Sequence, residues 1–274
     1  MQASFSESWQ LIRHAAHTLK LRPSLVIPTA FSRLFKFFFI TVIVMPLIKG
    51  YEQGNSLANL KQFLNQWGIN LYDPAFYLIL LLLFFAAYCI SRVIYGIEFN
   101  SLLHSFRTHH FSLRYGLKHL RLKSLLAFCF INKTWGVVVR FLKPWLKDTN
   151  WTFNIIFALA LIVDKQQSSV DAIKNSKTLV ETHFGKNPRY SLLLLKPALV
   201  LLLLIALPAI IGLMIGTQQT VWLGSLISLG TWYFYSVIES VLILILFTAF
   251  YEQIVNNKPV PGFNEKILRQ LFIK

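Results

Sequence analysis

The stretch Ala75–Phe99, AFYLILLLLFFAAYCISRVIYGIEF, decides the fold class. Its strongest part is Leu78–Tyr88, and the first charged residue of the stretch is Arg92. A transmembrane helix needs about 20 predominantly apolar residues, because each residue advances the helix by about 1.5 Å through a hydrocarbon core of about 30 Å. The stretch therefore predicts a membrane-spanning helix.

Three further segments, 25–48, 190–216 and 221–251, are apolar and long enough to span. The composition agrees, because 55% of the 274 residues are hydrophobic and only 14% are charged. Soluble domains are about 25% charged. We therefore expect an all-α integral membrane protein in which residues 1–274 form a single polytopic domain.

Residues 125–163 contain two weaker apolar runs. Asn132, Lys133 and Arg140 interrupt the first run, and the second, Trp151–Val163, has only 13 residues. Runs of this length are more typical of buried or re-entrant segments than of spans. We interpret the pair as a partial, re-entrant hairpin beside four full spans. The alternative is a bundle of six full spans.

Two segments have the pattern of amphipathic helices on the cytoplasmic face. In 168–184, Ser168 and Asp171 form a capping box, and an apolar stripe follows at helical spacing: Ala172, Ile173, Ser176, Leu179 and Val180. In 1–22, Trp9, Ile12, Ala16 and Leu19 share a helical spacing and Pro23 ends the pattern. This first helix either lies in the membrane interface or packs on its own bundle.

The positive charges predict an orientation. Of the 27 Lys and Arg residues, all but Lys49 and Lys61 lie in the terminal segments or between Arg92 and Lys196. Because cytoplasmic loops carry the excess of Lys and Arg, we expect a multi-pass chain with both termini cytoplasmic. Six full spans would also keep the termini inside, but would place Lys143 and Lys147 outside.

The segment 101–124 is a candidate lipid-binding element. Its cationic face consists of Arg114, Lys118, Arg121 and Lys123. A cluster of cations beside a bilayer attracts anionic lipid with about 1 kcal/mol per Lys or Arg. The alternative is that these charges only set the topology. A net charge of +16 also suits nucleic-acid binding, but the cations lie between apolar runs and no nucleic-acid motif is present, so we expect none.

Ionisable residues inside predicted spans are candidates for function, since burying them in hydrocarbon is costly. Glu239 lies well inside the last span, and Arg92 and Glu98 lie toward the cytoplasmic end of the second. One interpretation is a structural Glu239–Arg92 pair between two helices. The other is a proton or cation site at Glu239.

Motifs that carry chemistry are missing from the sequence. There is no GxSxG elbow, no GxxxxGK[ST] loop, and no pair of histidines with a carboxylate at metal-ligand spacing. Cys89 and Cys129 both lie in apolar runs and form no CxxC. We therefore expect no catalytic residues, no metal and no cofactor, and we expect the protein not to be an enzyme.

Four pieces of the chain carry a family resemblance: SESWQLIRHAAHTLKLRPSLVIP, FSLRYGLKHLRLKSLLAFCFINKTWGVVVRFL, FALALIVDKQQSSVDAIKNSKTLVETHFG and LILFTAFYEQIVNNKPVPGF. In these pieces the chain resembles an uncharacterised family of bacterial polytopic membrane proteins and, more distantly, the membrane domain of some glycerophosphodiester phosphodiesterases. That family usually has Pro-Val before the acidic residue of the third piece, where this chain has Ile162-Val-Asp164. The resemblance implies a helical bundle in the bacterial inner membrane and implies no activity.

From these observations we expect a membrane scaffold or a lipid-interacting component of envelope physiology, with the bilayer and its anionic lipids as partners. The rival hypothesis is a small transporter or channel-like protein that uses Glu239. The sequence does not predict a protein partner or an oligomeric state.

Overall fold

The computed structural model describes residues 5–34, 37, 74–142, 155–184, 189–190, 195–263 and 272–273, and nearly all of them are helical. A 3₁₀ turn, Pro23–Leu25, precedes helical residues 26–34. A π-helical turn, Tyr251–Val255, follows the last helix, and the two-residue strands β1 (Arg189–Tyr190) and β2 (Phe272–Ile273) pair antiparallel. The helices are α1 (Phe5–Leu21), α2 (Pro74–Thr108), α3 (Leu113–Lys118), α4 (Leu122–Leu142), α5 (Ala158–Asp164), α6 (Ser169–Phe184), α7 (Leu195–Ile215) and α8 (Gln218–Phe250).

Two helical segments are long and apolar enough to cross a membrane: Leu81–Thr108 within α2, and Gln219–Gln253 over α8 and the π turn. A shorter apolar stretch, Leu203–Ile215, lies in α7. Most of the predicted span 25–48 and residues 143–154 of the predicted hairpin lie outside the described residues. The fold is thus helical with two candidate spans, and the number of spans stays a prediction.

The chain divides into two compact units. Unit 1 consists of residues 1–28, 92–196 and 239–274, and unit 2 consists of residues 29–91 and 197–238. The helices α2 and α8 each contribute one part to each unit, because the division falls inside them at residues 91 and 238.

Unit 1 has a packed hydrophobic core that is rich in aromatic side chains. The Phe157 ring stacks on Phe250 with centroids 5.8 Å apart, and Phe99 meets Tyr251 edge-on at 5.5 Å. Helix α5 lies in this core, and its residues from Ala158 to Val163 are all buried. A short helix that is apolar on every side must be covered by its neighbours, and in α5 the protein itself covers residues 158–163.

Helix α6 covers α5 with the face that the sequence predicts. Ala172, Ser176 and Val180 are buried, and Ser176 Oγ accepts a hydrogen bond from the Phe157 backbone N–H at 3.1 Å. At the start of the helix, Ser168 Oγ accepts from the Asp171 N–H and donates to Asp171 Oδ2. The predicted N-cap is therefore in place, and the apolar stripe packs on protein.

The basic segment 101–124 is not one amphipathic helix. Ser112 caps the short helix α3, which ends at Lys118, and α4 begins at Leu122. The break brings Gly116 against α2, where an added Cβ would lie 2.3 Å from the Ile97 carbonyl oxygen. Only glycine permits that approach of α3 to α2.

Helix α1 packs on unit 1, with a different face from the predicted one. Leu11 and Ala15 are buried in the core, whereas Trp9 is 60% exposed and Ala16 is exposed. The pattern was misleading because Leu11 and Ala15 form a second apolar row one step around the same helix. The described part of α1 packs on the core through Leu11 and Ala15, and its position relative to the membrane interface stays a prediction.

Unit 2 is built on the antiparallel pair α7 and α8. Gly216 takes a left-handed conformation with φ of 76° between the two helices. A Cβ on Gly224 would lie 2.3 Å from the Pro208 carbonyl oxygen, so the two backbones are in close contact there. Ser228 Oγ accepts a hydrogen bond from the Ala209 N–H at 3.1 Å. Small residues permit the close approach of these two helices.

Candidate functional site

A buried ionic cluster joins three distant parts of the chain in unit 1. We call it the Arg107 clamp, and it consists of Arg107, Asp164, Tyr251, Glu252 and Asn256. Arg107 comes from the end of α2, Asp164 ends α5, and the other three residues lie in or just after the π turn. A single guanidinium thus ties together helices that are separated by 57 and 145 residues along the chain.

The guanidinium of Arg107 binds both carboxylates at short distances. Its Nε and Nη2 donate to the two oxygens of Glu252 at 2.7 Å each, and its Nη1 donates to Asp164 Oδ1 at 2.8 Å. Only 2% of the Glu252 side chain and 5% of the Asp164 side chain are exposed, against 31% for Arg107. Two parallel hydrogen bonds from one guanidinium edge are the strongest geometry that Arg offers to a carboxylate.

Both carboxylates also accept hydrogen bonds from residues other than Arg107. Tyr251 Oη donates to Asp164 Oδ2 at 3.0 Å, and Asn256 Nδ2 donates to Glu252 Oε2 at 2.7 Å. Lys165 Nζ lies 3.5 Å from Asp164 Oδ2. A buried carboxylate that keeps several donors does not suffer the full cost of leaving water.

Burial and the neighbouring cations act on the pKa of Asp164 in opposite directions. Burial acts to raise its pKa, but the hydrogen bond from Arg107 and the charges of Arg107 and Lys165 outweigh burial, so the pKa lies below its ordinary value. Asp164 is therefore ionised at neutral pH, as an ion pair requires.

The π turn places the acidic partner of the clamp. After α8 the helix widens by one residue over Tyr251–Val255, and the Asn256 N–H reaches the Tyr251 carbonyl at 3.3 Å. The Lys258 N–H then donates to the Glu252 carbonyl at 3.1 Å, and Asn257 adopts a left-handed φ of 53°. Single π turns of this kind occur frequently at functional sites.

The loop after Asp164 connects the clamp to the basic segment. Gln166 Nε2 donates to the His119 carbonyl at 2.8 Å, and its own carbonyl accepts from Arg121 Nη1. Ser169 Oγ donates to the Ser124 carbonyl at 2.6 Å. These bonds fix the segment that links α3 to α4.

In unit 1, most of the described cations are exposed, and three of the six carboxylates whose side chains are described are buried. Glu98, Asp164 and Glu252 are withdrawn from solvent, and only Asp171 and Glu181 are exposed among the carboxylates whose side chains the structure describes in this unit. Its exposed cations are Arg13, Lys20, Arg114, Lys118, Arg121, Lys123, Lys133, Lys165, Lys174, Lys177 and Lys258. The described surface of unit 1 is therefore strongly positive.

The predicted lipid-binding residues lie in this surface. Arg114 and Lys118 are on α3, Arg121 is in the link, and Lys123 is on α4; all four are exposed. We call these four residues the basic surface.

The predicted intramembrane residues are all in unit 1. Glu98 is 2% exposed, whereas Arg92 and Glu239 are half-buried. Helix α2 also supplies Arg107 to the clamp, nearer its carboxyl end, and the π turn that follows α8 supplies Tyr251 and Glu252. The Glu239–Arg92 pair and the proton or cation site stay predictions.

The clamp holds structure and offers little chemistry. Both carboxylates are saturated by donors, so neither is placed to take a proton from a substrate. Within residues 5–34, 74–142, 155–184 and 195–263, no three His, Cys, Asp or Glu side chains lie close enough together to hold a metal ion.

Sequence reasoning missed the clamp. Asp164, Tyr251, Glu252 and Asn256 lie in the quoted pieces FALALIVDKQQSS and AFYEQIVNNKPVPGF, but no spacing rule relates them to Arg107. The available signal was that Asp164 and Glu252 are rare acidic residues, each at the end of an apolar run in a chain with only 11 Asp and Glu. A carboxylate at such a position needs a partner.

No family model matches the chain, and no curated protein and no solved structure matches it either. The resemblance to a bacterial membrane protein family therefore stays a prediction, and the function rests on the residues described above.

Proposed function

We propose that this chain is an integral membrane protein that presents the basic surface to anionic phospholipids, as a scaffold or lipid-interacting component of envelope physiology. The observation that carries the proposal is the separation of charge in unit 1. Most of its described cations are exposed, while Glu98, Asp164 and Glu252 are buried. A surface with few carboxylates keeps its full attraction for lipid phosphates, about 1 kcal/mol per cation.

The proposed topology is four full spans with a partial hairpin, and both termini and the basic surface face the cytoplasm of a bacterium. The two apolar segments Leu81–Thr108 and Gln219–Gln253 support the membrane assignment by length and composition. The excess of cations in the termini and the central segment supports the orientation. We propose that the protein is not an enzyme, since its motifs and its clamp offer no reacting group.

The test uses the full chain in an uncharged detergent. Dioctanoyl-phosphatidylglycerol is added, and the shift of the thermal unfolding midpoint is compared with that from dioctanoyl-phosphatidylcholine. A ligand that binds the folded state raises the midpoint. We expect the phosphatidylglycerol shift to disappear when Arg114, Lys118, Arg121 and Lys123 are all changed to Gln.

The matched control changes Lys174 and Lys177 to Gln, because both are exposed cations of unit 1 on helix α6. This variant should keep most of the shift. An undiminished shift in the four-residue variant would exclude the basic surface as the lipid site.

A transporter that uses Glu239 is the second candidate. Glu239 is half-buried in a candidate span. Ionisable groups in such positions serve transport pathways in other membrane proteins. A proton or cation flux into proteoliposomes that Glu239→Gln abolishes, with the unfolding midpoint unchanged, would favour this candidate.

A further inference from the structure

Arg121 differs from the rest of the basic surface because its side chain is held in place. Its Nη1 donates to the Gln166 backbone carbonyl. The structure describes no side-chain partner for Arg114, Lys118 or Lys123 among residues 74–142 and 155–184. All four cations are exposed, but only the side chain of Arg121 is restrained by a hydrogen bond.

The carbonyl that holds Arg121 is itself fixed. Gln166 has a left-handed φ of 53°, and its side-chain Nε2 donates to the carbonyls of Val163 at 3.0 Å and His119 at 2.8 Å. Two residues earlier, Asp164 is bound by Arg107 at 2.8 Å. The contact to Arg121 therefore rests on the Arg107 clamp, and the loop cannot move away from Arg121 without breaking several bonds.

The backbone on the other side of Arg121 is restrained as well. The Leu125 N–H donates to the Arg121 carbonyl at 3.0 Å, and Ser169 Oγ donates to the Ser124 carbonyl at 2.6 Å. The residue thus has a fixed main chain and a guanidinium tethered at one nitrogen. Its remaining N–H groups are on a side chain that stays exposed.

A tethered guanidinium is suited to recognise a phosphate. The planar fork of Arg matches two phosphate oxygens at once, whereas Lys acts as a point charge. Much of the cost of such a contact is the rotamer entropy of a long side chain, and a tether supplies part of that order in advance. Free lysines and arginines on the same surface attract lipid only through their charge.

We propose that Arg121 is the phosphate-recognising residue of the basic surface, that it binds the phosphate of an anionic glycerophospholipid, and that Gln166 is its positioning residue. This inference rests on the proposed function, since it assumes that the basic surface meets lipid. It adds that Arg121 recognises the lipid phosphate by the geometry of its guanidinium, while Arg114, Lys118 and Lys123 attract the phosphate by charge alone.

The test compares two substitutions that conserve charge in the full chain. Arg121→Lys should weaken binding of dioctanoyl-phosphatidylglycerol by about fivefold, the scale of one charge-assisted hydrogen bond lost at an exposed site. Arg114→Lys is the matched control, because Arg114 is an exposed arginine of the same surface without a tether. It should change the affinity by less than about twofold.

A second variant tests the tether without touching any charge. Gln166→Ala removes the bonds to Val163 and His119 and should weaken phosphatidylglycerol binding in the same direction as Arg121→Lys. An unfolding midpoint close to that of the parent chain, measured without lipid, shows that the variant is folded. Unchanged binding by a folded Gln166→Ala would overturn the positioning role.

The remaining outcomes separate this inference from the proposed function. If removal of all four charges abolishes binding but Arg121→Lys and Arg114→Lys behave alike, the basic surface binds lipid and the special role of Arg121 is wrong. If removal of all four charges has no effect, the proposed function itself is wrong. Equal stabilisation by inorganic phosphate at the same concentration would show that the site takes free phosphate and would overturn its assignment to lipid.

Discussion

Unit 1 has a buried hydrophobic core, whereas unit 2 exposes many of its large apolar side chains. The core cluster of the protein lies in unit 1, where Phe99, Phe157, Phe250 and Tyr251 are fully buried and most cations are exposed. Unit 2 exposes its apolar side chains, which include Leu81, Leu82, Leu83, Phe84, Leu203, Leu204, Leu207, Met214, Leu223 and Phe234. Soluble monomers rarely expose apolar patches of more than a few hundred Å². Exposed large apolar side chains are therefore more numerous in unit 2, although unit 1 also exposes several, among them Trp9, Leu117 and Phe130.

The two units also use different means to hold their helices. Unit 1 relies on an aromatic core and on the Arg107 clamp. Unit 2 relies on close backbone contact at Gly212 and Gly224 and on hydroxyl groups such as that of Ser228. Unit 1 also has one such close contact, at Gly116. Helices in a membrane associate through packing and polar contacts, because apolar side chains gain little from leaving lipid.

The largest expected effect comes from placing a charge on each surface. Leu82 in unit 2 and Leu117 in unit 1 are 57% and 61% exposed. Leu82→Asp should cost about 3–4 kcal/mol of membrane insertion, the difference between Leu and Asp near the centre of a membrane helix. The measurement is the fraction of the full chain that resists alkaline extraction from membranes.

Leu117→Asp is the control for that measurement and should leave the inserted fraction unchanged. Similar losses from the two substitutions would show that the comparison between the units is wrong.

The next largest expected effect is the loss of unfolding free energy when the Arg107 clamp is broken. Arg107→Met leaves two carboxylates without their main partner. Breaking a buried pair on one side costs about 3–5 kcal/mol, and since 31% of Arg107 is exposed we expect about 3 kcal/mol of unfolding free energy. Thermal unfolding in detergent measures it, with exposed Arg114→Met as a control that should cost less than about 0.5 kcal/mol.

Acid gives a second test of the clamp. Because the pKa of Asp164 is lowered in the folded protein, its contribution to stability is present above its ordinary pKa and is lost as the pH falls through the folded pKa. The parent chain should therefore lose stability in acid, and Arg107→Met should lose less. An identical acid dependence in both proteins would argue against the ion pair.

The smallest expected effect is the difference in stability between alanine substitutions at two glycines of unit 2. Gly224→Ala should cost about 1–3 kcal/mol, since its Cβ would meet the Pro208 carbonyl oxygen and the helices must separate. Gly230→Ala has no atom within 4 Å of the new Cβ, so it should stabilise the helix by up to about 1 kcal/mol. The unfolding midpoint of each variant is the measurement, and a neutral Gly224→Ala would contradict the close contact of α7 and α8.

Local patterns predicted the elements that depend on nearby residues. The apolar stretch at Ala75–Phe99 is helical, and the cap at Ser168 and the stripe of α6 are found where the sequence places them. These features follow from hydropathy, helical periodicity and a hydrogen bond between residues three apart. No local pattern shows that Gly116 lies against the Ile97 carbonyl, because that contact joins two separate helices.

Composition and helical period were sufficient to predict the helical class, the excess of cations over carboxylates and the apolar character of the candidate spans. Only the tertiary structure decided that Arg107 meets Asp164 and Glu252, that α5 is buried by protein, and that Arg121 alone in the basic surface is tethered. Those contacts join residues tens to more than a hundred positions apart. Their formation depends on how whole helices pack, which no short window of sequence specifies.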